Sequence, residues 1–188
     1  LSYYTPIFKR YEKLFPSNSY LISISLSLII NLFVFVCNKN SLGIPNTLYL
    51  DIVFLGTGTS QGVPVIGCDC EVCLSNDSKD KRLRSSILIT SDKGTQITID
   101  AGPDFRTQML NERVKYLDAI LVTHAHRDHV SGLDDVRSYN YLQQSPMPIF
   151  ANKPAIKSIK KEFSYAFAQV KYPGLPEFDL QEIDVEKL

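Results

Sequence analysis

Residues 117–137 read LDAILVTHAHRDHVSGLDDVR, and this stretch decides the fold. Leu117 to Thr123 is nearly all apolar, which predicts a strand buried on both faces. Beyond it lie all three histidines of the chain, His124, His126 and His129, with Asp128 between the last two. Imidazole and carboxylate are ligands that borderline divalent metals take. In a loop leaving a strand, residues 124 and 126 point the same way and offer two nitrogens to one ion. Asp128 and His129 fall on the next turn and can serve a second ion close by. Two such ions hold a bridging hydroxide at neutral pH and clamp the oxygens of a phosphoester. The competing reading is three surface histidines clustered by chance.

Working outward, the flanks alternate strands and helices. Leu48–Leu55, Ser85–Ser91 and Thr95–Asp100 read as strands by their β-branched and aromatic content. Asp92-Lys93-Gly94 makes the last two a hairpin. Pro103 predicts a helix through Asn111, and Asp134–Leu142 reads as a short helix. Pro148–Ala151 is a short strand. Lys153–Ala168 is an amphipathic helix with Ile156, Ile159, Phe163 and Phe167 on one face. Tyr172-Pro173-Gly174 then breaks the chain. Hairpins early and β-α alternation later define an α/β or α+β class.

A second cluster precedes the hairpin. Cys68, Cys70 and Cys73, in GCDCEVC, offer three thiolates on a tight loop. That suits a structural zinc whose fourth ligand comes from elsewhere. A disulfide or a set of buried free thiols are the alternatives; the crowding would strain a disulfide and leave one thiol over. Asp100, at a strand end in IDAG, is either a turn former or a carboxylate that orients a metal ligand. Asp134 and Asp135 read as helix-capping acids. GTGTSQG lacks the lysine of a phosphate-binding P-loop. Lys79–Arg84 is a basic run that reads as a solvated loop.

Composition sets the outer bounds. The 188 residues are 44% hydrophobic, 11% aromatic and 21% charged, with 20 basic and 20 acidic side chains. This is ordinary globular composition and excludes collagen-like, wholly disordered and disulfide-scaffold classes. Neutrality removes the electrostatic argument for a general nucleic-acid binder. The balance is uneven, however. Residues 1–50 carry four basic side chains (Lys9, Arg10, Lys13, Lys39) and one acid (Glu12), which leaves 16 basic and 19 acidic, a net of −3, in the remainder.

The organisation expected is therefore an apolar segment, 1–47, followed by a domain, 48–188. Residues 20–37, YLISISLSLIINLFVFVC, are just long enough to span a bilayer. The basic residues before them would place the N-terminus in the cytoplasm. The chain begins at Leu1 and its methionines are Met109 and Met147, so translation upstream of a native start is the favoured reading and a membrane anchor the second. A signal peptide or a buried hairpin is a lesser one, and Cys37 is a plain apolar residue of this run.

FLGTGTSQGVPVIGCDCEVC (54–73), RLRSSILI (82–89), IDAGPDFR (99–106), VTHAHRDHVSGLDDVR (122–137) and KYPGLPE (171–177) together resemble the metallo-β-lactamase-fold hydrolases. Within them they are similar to the subgroup of phosphoribosyl 1,2-cyclic phosphate phosphodiesterase, itself similar to ribonuclease Z. The resemblance runs from about residue 50 to the C-terminus. It implies an αββα sandwich of which this chain is the N-terminal half, with a dinuclear metal site at one edge.

By position, the resemblance gives His124 and His126 to the first ion, and Asp128 and His129 to the second. Asp100 supports the site, Asp128 helps orient the hydroxide, and Cys68, Cys70 and Cys73 hold a structural zinc. The implied cofactors are two divalent ions, zinc or manganese, and one structural zinc. The implied activity is a metallo-hydrolase, a phosphodiesterase acting on a small phosphodiester or cyclic phosphate. Ribonuclease Z-like cleavage, thioester or lactam hydrolysis, and a non-catalytic zinc-binding relic are the alternatives. The family needs further downstream ligands, and no histidine follows His129, so this chain alone is expected to be inactive. Nucleic acid is not favoured as a partner, a membrane is one only if 20–37 is an anchor, and a homodimer is compatible with the sequence. Metal-type thiols point to the cytoplasm; an anchored form would keep the domain on that same side.

Overall fold

The computed structural model describes residues 49–169 and 172–183. The apolar run 20–37 and Cys37 lie outside them. Strand β1 (Leu50–Gly56) leads into a long loop that carries a four-residue helix, α1 (Glu71–Leu74), and a 3-10 turn at Ser78–Asp80. Strands β2 (Ser86–Ser91) and β3 (Gln96–Ile99) form the hairpin, and α2 (Phe105–Asn111) follows. Next come β4 (Ala119–Leu121), α3 (Arg127–Val130), a 3-10 helix at Ser131–Val136, and α4 (Arg137–Gln143). Strand β5 (Met147–Ala151), α5 (Lys153–Glu162), a 3-10 helix at Ser164–Phe167 and β6 (Phe178–Glu182) complete the order.

The six strands form one sheet in sequence order. β1, β2 and β3 are antiparallel neighbours, whereas β3 to β6 run parallel. The parallel part exists because helices α2 to α5 return the chain between strands, as parallel pairing requires. Register places Leu88, Thr98, Ile120 and Ile149 in one row. That face packs on Phe105 and Met109 of α2, Val130 of α3, Tyr139 of α4 and Ile159 of α5. The opposite face is apolar too. Ile89, Ile97 and Ala119 form one row across it, and Phe54, Ile87, Ile99, Leu121 and Phe150 the next. A sheet apolar on both faces is the inner layer of a sandwich. The mixed sheet with its helical layer is one half of the expected αββα architecture.

Three elements differ from expectation for identifiable reasons. The helix expected over Lys153–Ala168 stops at Glu162, because Phe163 leaves helical geometry (φ −101°, ψ 36°). In this conformation both Phe163 and Phe167 reach the ring of Phe178, at 5.6 and 5.9 Å. The helix expected from Pro103 begins two residues later, at Phe105, since the Asp104 carboxylate turns away from the helix to Arg84. Strand β6 was not foreseen: only Phe178 and Leu180 of FDLQE face the core, too short an apolar alternation to read. Among the described residues no helix is long and apolar enough to cross a membrane.

Candidate metal centres

Because β3, β4 and β5 run parallel, their C-terminal ends share one edge of the sheet, and the end of β1 joins them there. The histidine motif leaves β4 at this edge. Asp100 ends β3 beside it in the left-handed region, at φ 63°. Its amide donates to Leu121 O at 2.8 Å, which ties the two strand ends together. The Asp100 side chain, 7% exposed, is fully engaged. It accepts from the Thr123 amide (2.8 Å), from Thr123 Oγ1 (2.8 Å) and from His129 Nδ1 (2.7 Å). A carboxylate so placed fixes the imidazole tautomer and leaves His129 Nε2 for a metal. The hydrogen bond to Asp100 holds the His129 imidazole above its ordinary pKa, against the pull of burial. Burial, then the neighbouring charge at His129, pushes His124 the other way.

The donors come in two pairs. His124 Nε2 and His126 Nδ1 are 3.1 Å apart. His129 Nε2 and Asp128 Oδ2 are 3.3 Å apart. Two ligands at ordinary zinc bond lengths and a tetrahedral angle lie about 3.3 Å from each other. Each pair therefore fits one divalent ion, and each leaves coordination positions for other donors. The His124 ring lies 4.6 Å from that of His126 and 4.0 Å from that of His129, so the two half-sites are adjacent. The backbone supports this closeness. Ala101 N donates to His129 O and Gly132 N to Ala101 O, at 2.8 and 2.9 Å. A side chain at Gly102 would put its Cβ 2.0 Å from Asp128 O.

The cysteines behave differently. The thiol sulfurs of Cys68, Cys70 and Cys73 lie within 4.8 Å of one another, and all three are free thiols. Among the described residues this is the one group that brings three such ligand atoms together. Sulfurs on one zinc sit about 3.8 Å apart, which lies inside this spread. Hydrogen bonds from Cys73 and Cys68 lower the Cys70 thiol to about 7, which favours the thiolate that binds metal. The Val65 amide, 3.4 Å from Cys73 Sγ, lowers the Cys73 thiol, but burial and the adjacent thiols outweigh it and raise the thiol overall.

Two secondary expectations need correction. Asp134 does not cap a helix. It accepts from Tyr165 OH at 2.7 Å and pairs with Arg137 at 2.9 Å, joining the motif to the turn after α5. Glu162 at the end of α5 pairs with Arg127, inside the motif itself. Arg84, the last residue of the basic run expected to be solvated, is half-buried and pairs with Asp104. Sequence reasoning also missed Thr123; its place next to the first histidine, opposite a strand-end aspartate, was the available signal. A concavity of about 680 Å³ lies between α4 and the 172–177 turn, lined by Arg137, Asn140, Tyr141 and Leu175 among others, and includes none of the candidate ligands.

The mixed six-stranded sheet with its layer of helices matches the metallo-β-lactamase fold. Residues 95–187 match the Beta-lactamase superfamily domain, a superfamily whose members are in general hydrolases. Among solved structures, the chain is 39% identical to a diphosphatase of the PhnP family, covering 73% of this chain and 52% of that one, with a TM-score of 0.65. It is 22% identical to Zn(2+)-bound PqqB from Methylobacterium extorquens, over 70% and 46% of the two chains, with a TM-score of 0.55; that likeness concerns the fold. Among curated proteins, it is 45% identical over 131 residues to an octanoyltransferase of Porphyromonas gingivalis, spanning 70% of this chain and 26% of that protein. The chain thus spans about half or less of the length of these relatives.

Proposed function

We propose that the domain, residues 48–188, contributes the histidine-bearing half of a metal-dependent phosphodiesterase acting on a small phosphodiester or cyclic phosphate. The observation that carries this reading is the pair of half-sites: nitrogens of His124 and His126 3.1 Å apart, next to His129 and Asp128 at 3.3 Å. In this reading His124 and His126 hold one divalent ion, Asp128 and His129 a second, and Cys68, Cys70 and Cys73 a structural zinc. Bound zinc or manganese would supply an acidified water and a Lewis-acid clamp on the phosphoryl oxygens. The chain's own residues do the rest. Asp100 holds His129 in one tautomer, and Asp128, through the carboxylate oxygen not given to the ion, can accept a hydrogen bond from the attacking water and aim it. The likeness to the diphosphatase supports phosphorus as the centre attacked. The reduced thiols fit the cytoplasm.

The test is hydrolysis of bis-p-nitrophenyl phosphate and of a ribose cyclic phosphate by the full-length product of the gene, loaded with zinc or manganese. His126→Ala is expected to lower turnover at least a thousandfold while leaving the circular dichroism spectrum unchanged. Equal activity in the variant overturns the assignment of these ligands. A second reading, cleavage of an acyl group as in a thioester hydrolase, has the octanoyltransferase relative behind it. A p-nitrothiophenyl octanoate assay separates the two: turnover there with none on phosphodiesters selects the second.

A further inference from the structure

Residues 84–86, Arg-Ser-Ser, make more polar contacts than the start of a strand needs, and they make them in two directions. Toward the Gly-rich loop, Arg84 Nε donates to Ser60 O (2.8 Å) and Ser85 Oγ to Gly58 O (2.8 Å). Toward the turn after β3, Arg84 takes both oxygens of Asp104, with its amide (2.8 Å) and Nη1 (2.9 Å). Gln108 Nε2, on α2, donates to Arg84 O at 2.8 Å. Ser86 Oγ then shares its one proton between the carbonyls of Ile99 (3.0 Å) and Asp100 (3.1 Å) in a three-centre hydrogen bond. Ser86 is 4% exposed.

The Asp100 carbonyl is the significant partner. Asp100 is a non-glycine residue in the left-handed region, a conformation that persists only where the surroundings fix it. Its amide is fixed by Leu121 and its carbonyl by Ser86. The direction of the side chain follows from that backbone, and the side chain holds His129. We infer that Arg84, Ser85 and Ser86 are positioning residues: a bracket that fastens the Gly-rich loop 57–62 to the Asp100 turn and so sets how Asp100 presents its carboxylate to His129. The inference rests on the metal-centre reading for one of its two readouts only; the other is a property of the metal-stripped protein.

The experiment uses full-length protein freed of metal with a chelator, compared as wild type, Ser86→Ala and Ser91→Ala. Ser91 is the control. It is a buried serine at the far end of the same strand, whose hydroxyl serves the Lys93 and Thr95 amides. The first readout is the low-field proton signal of His129 Nδ1, observed with ¹⁵N-labelled histidine. The second is the dissociation constant for cobalt(II). In Ser86→Ala the His129 signal is expected to disappear and cobalt binding to weaken about tenfold, as loss of an outer hydrogen-bond partner does. In Ser91→Ala, with a comparable loss of Tm, neither should change. A His129 signal retained in Ser86→Ala with cobalt affinity within twofold of wild type overturns the inference, and so does loss of the signal in both variants.

Should Ser86→Ala fail to fold, Arg84→Lys carries the test. Lysine keeps the charge but cannot reach Ser60 and Asp104 together. Exchange of the Gly58 and Val63 amides, which donate to Leu83 O and Arg82 O, is expected to rise about fivefold as the loop loosens. Unchanged exchange overturns the bracket. Absence of phosphodiesterase turnover in wild type would overturn the proposed function and leave these results standing.

Discussion

The histidine cluster and the cysteine cluster both present donors suited to zinc, but they are built by opposite means. Cys68, Cys70 and Cys73 sit within six residues on a loop and one turn of helix, and their sulfurs converge with amide contacts from near in sequence, that of Val65 among them. His124, His126, Asp128 and His129 are also close in sequence, yet their geometry depends on strand β3, the turn at 100–102 and residues some 29 positions away. Local chemistry makes the first site, and tertiary packing makes the second. The cysteine site should therefore follow metal and redox state, whereas the histidine site should follow the integrity of the sheet edge.

A glycine substitution in each region separates them most sharply. Gly102→Ala places a Cβ 2.0 Å from the backbone oxygen of Asp128, a collision with main chain that cannot be relieved by a rotamer. A loss on the order of 4 kcal/mol is expected in a chemical denaturation curve. Gly67→Ala, one residue before Cys68, meets nothing within 4 Å. It should cost about 1 kcal/mol, for its positive φ alone. Equal losses would refute the contrast.

The next largest effect is expected in metal content. Cys70→Ser should lower zinc stoichiometry by one ion, measured by atomic absorption, and leave the His129 signal intact. His126→Ala should leave the cysteine-bound zinc in place. Loss of metal from both centres in either variant would mean that the two centres fold as one.

Asp100→Asn comes third and is pH-dependent in the metal-stripped protein. His129 has a raised folded pKa, caused first by its hydrogen bond to Asp100. The stabilisation from the charged pair is therefore complete below the unfolded value of 6.5 and is lost as pH rises through the folded value. Wild type should exceed Asp100→Asn in stability by about 2 kcal/mol at pH 5.5. The gap should narrow toward pH 9, leaving the contribution of the Thr123 bonds; His124 also feels the Asp100 charge, which favours its protonated form and acts in the same direction. A gap that widens with pH would contradict the pairing.

The smallest effect lies in the cysteine loop. In metal-free protein, iodoacetamide should label Cys70, lowered to about 7, several-fold faster than Cys73, whose thiol is raised and buried. Mass spectrometry of the labelled peptide reads the order, and the reverse order would refute the described environment of Cys73.

Much of this was legible in the residues themselves. The hairpin at Asp92-Lys93-Gly94, the buried run before His124 and the two ligand clusters follow from local periodicity, turn chemistry and donor type. Those properties depend on spacing along the chain, so the sequence determines them directly. Strand β6 was hidden because an edge strand buries only Phe178 and Leu180. The break at Phe163 was hidden because its cause, the ring of Phe178, is far away in sequence. The same holds at the site. Asp100 was a candidate by residue type, but its left-handed backbone, its grip on Thr123 and His129, and the reach of Ser86 and Arg84 to that turn arise only when β2, β3 and β4 lie side by side. Sequence determined which donors this protein possesses; tertiary structure decided which of them meet, because hydrogen bonds and ion pairs act over a few ångströms of space whatever the distance along the chain.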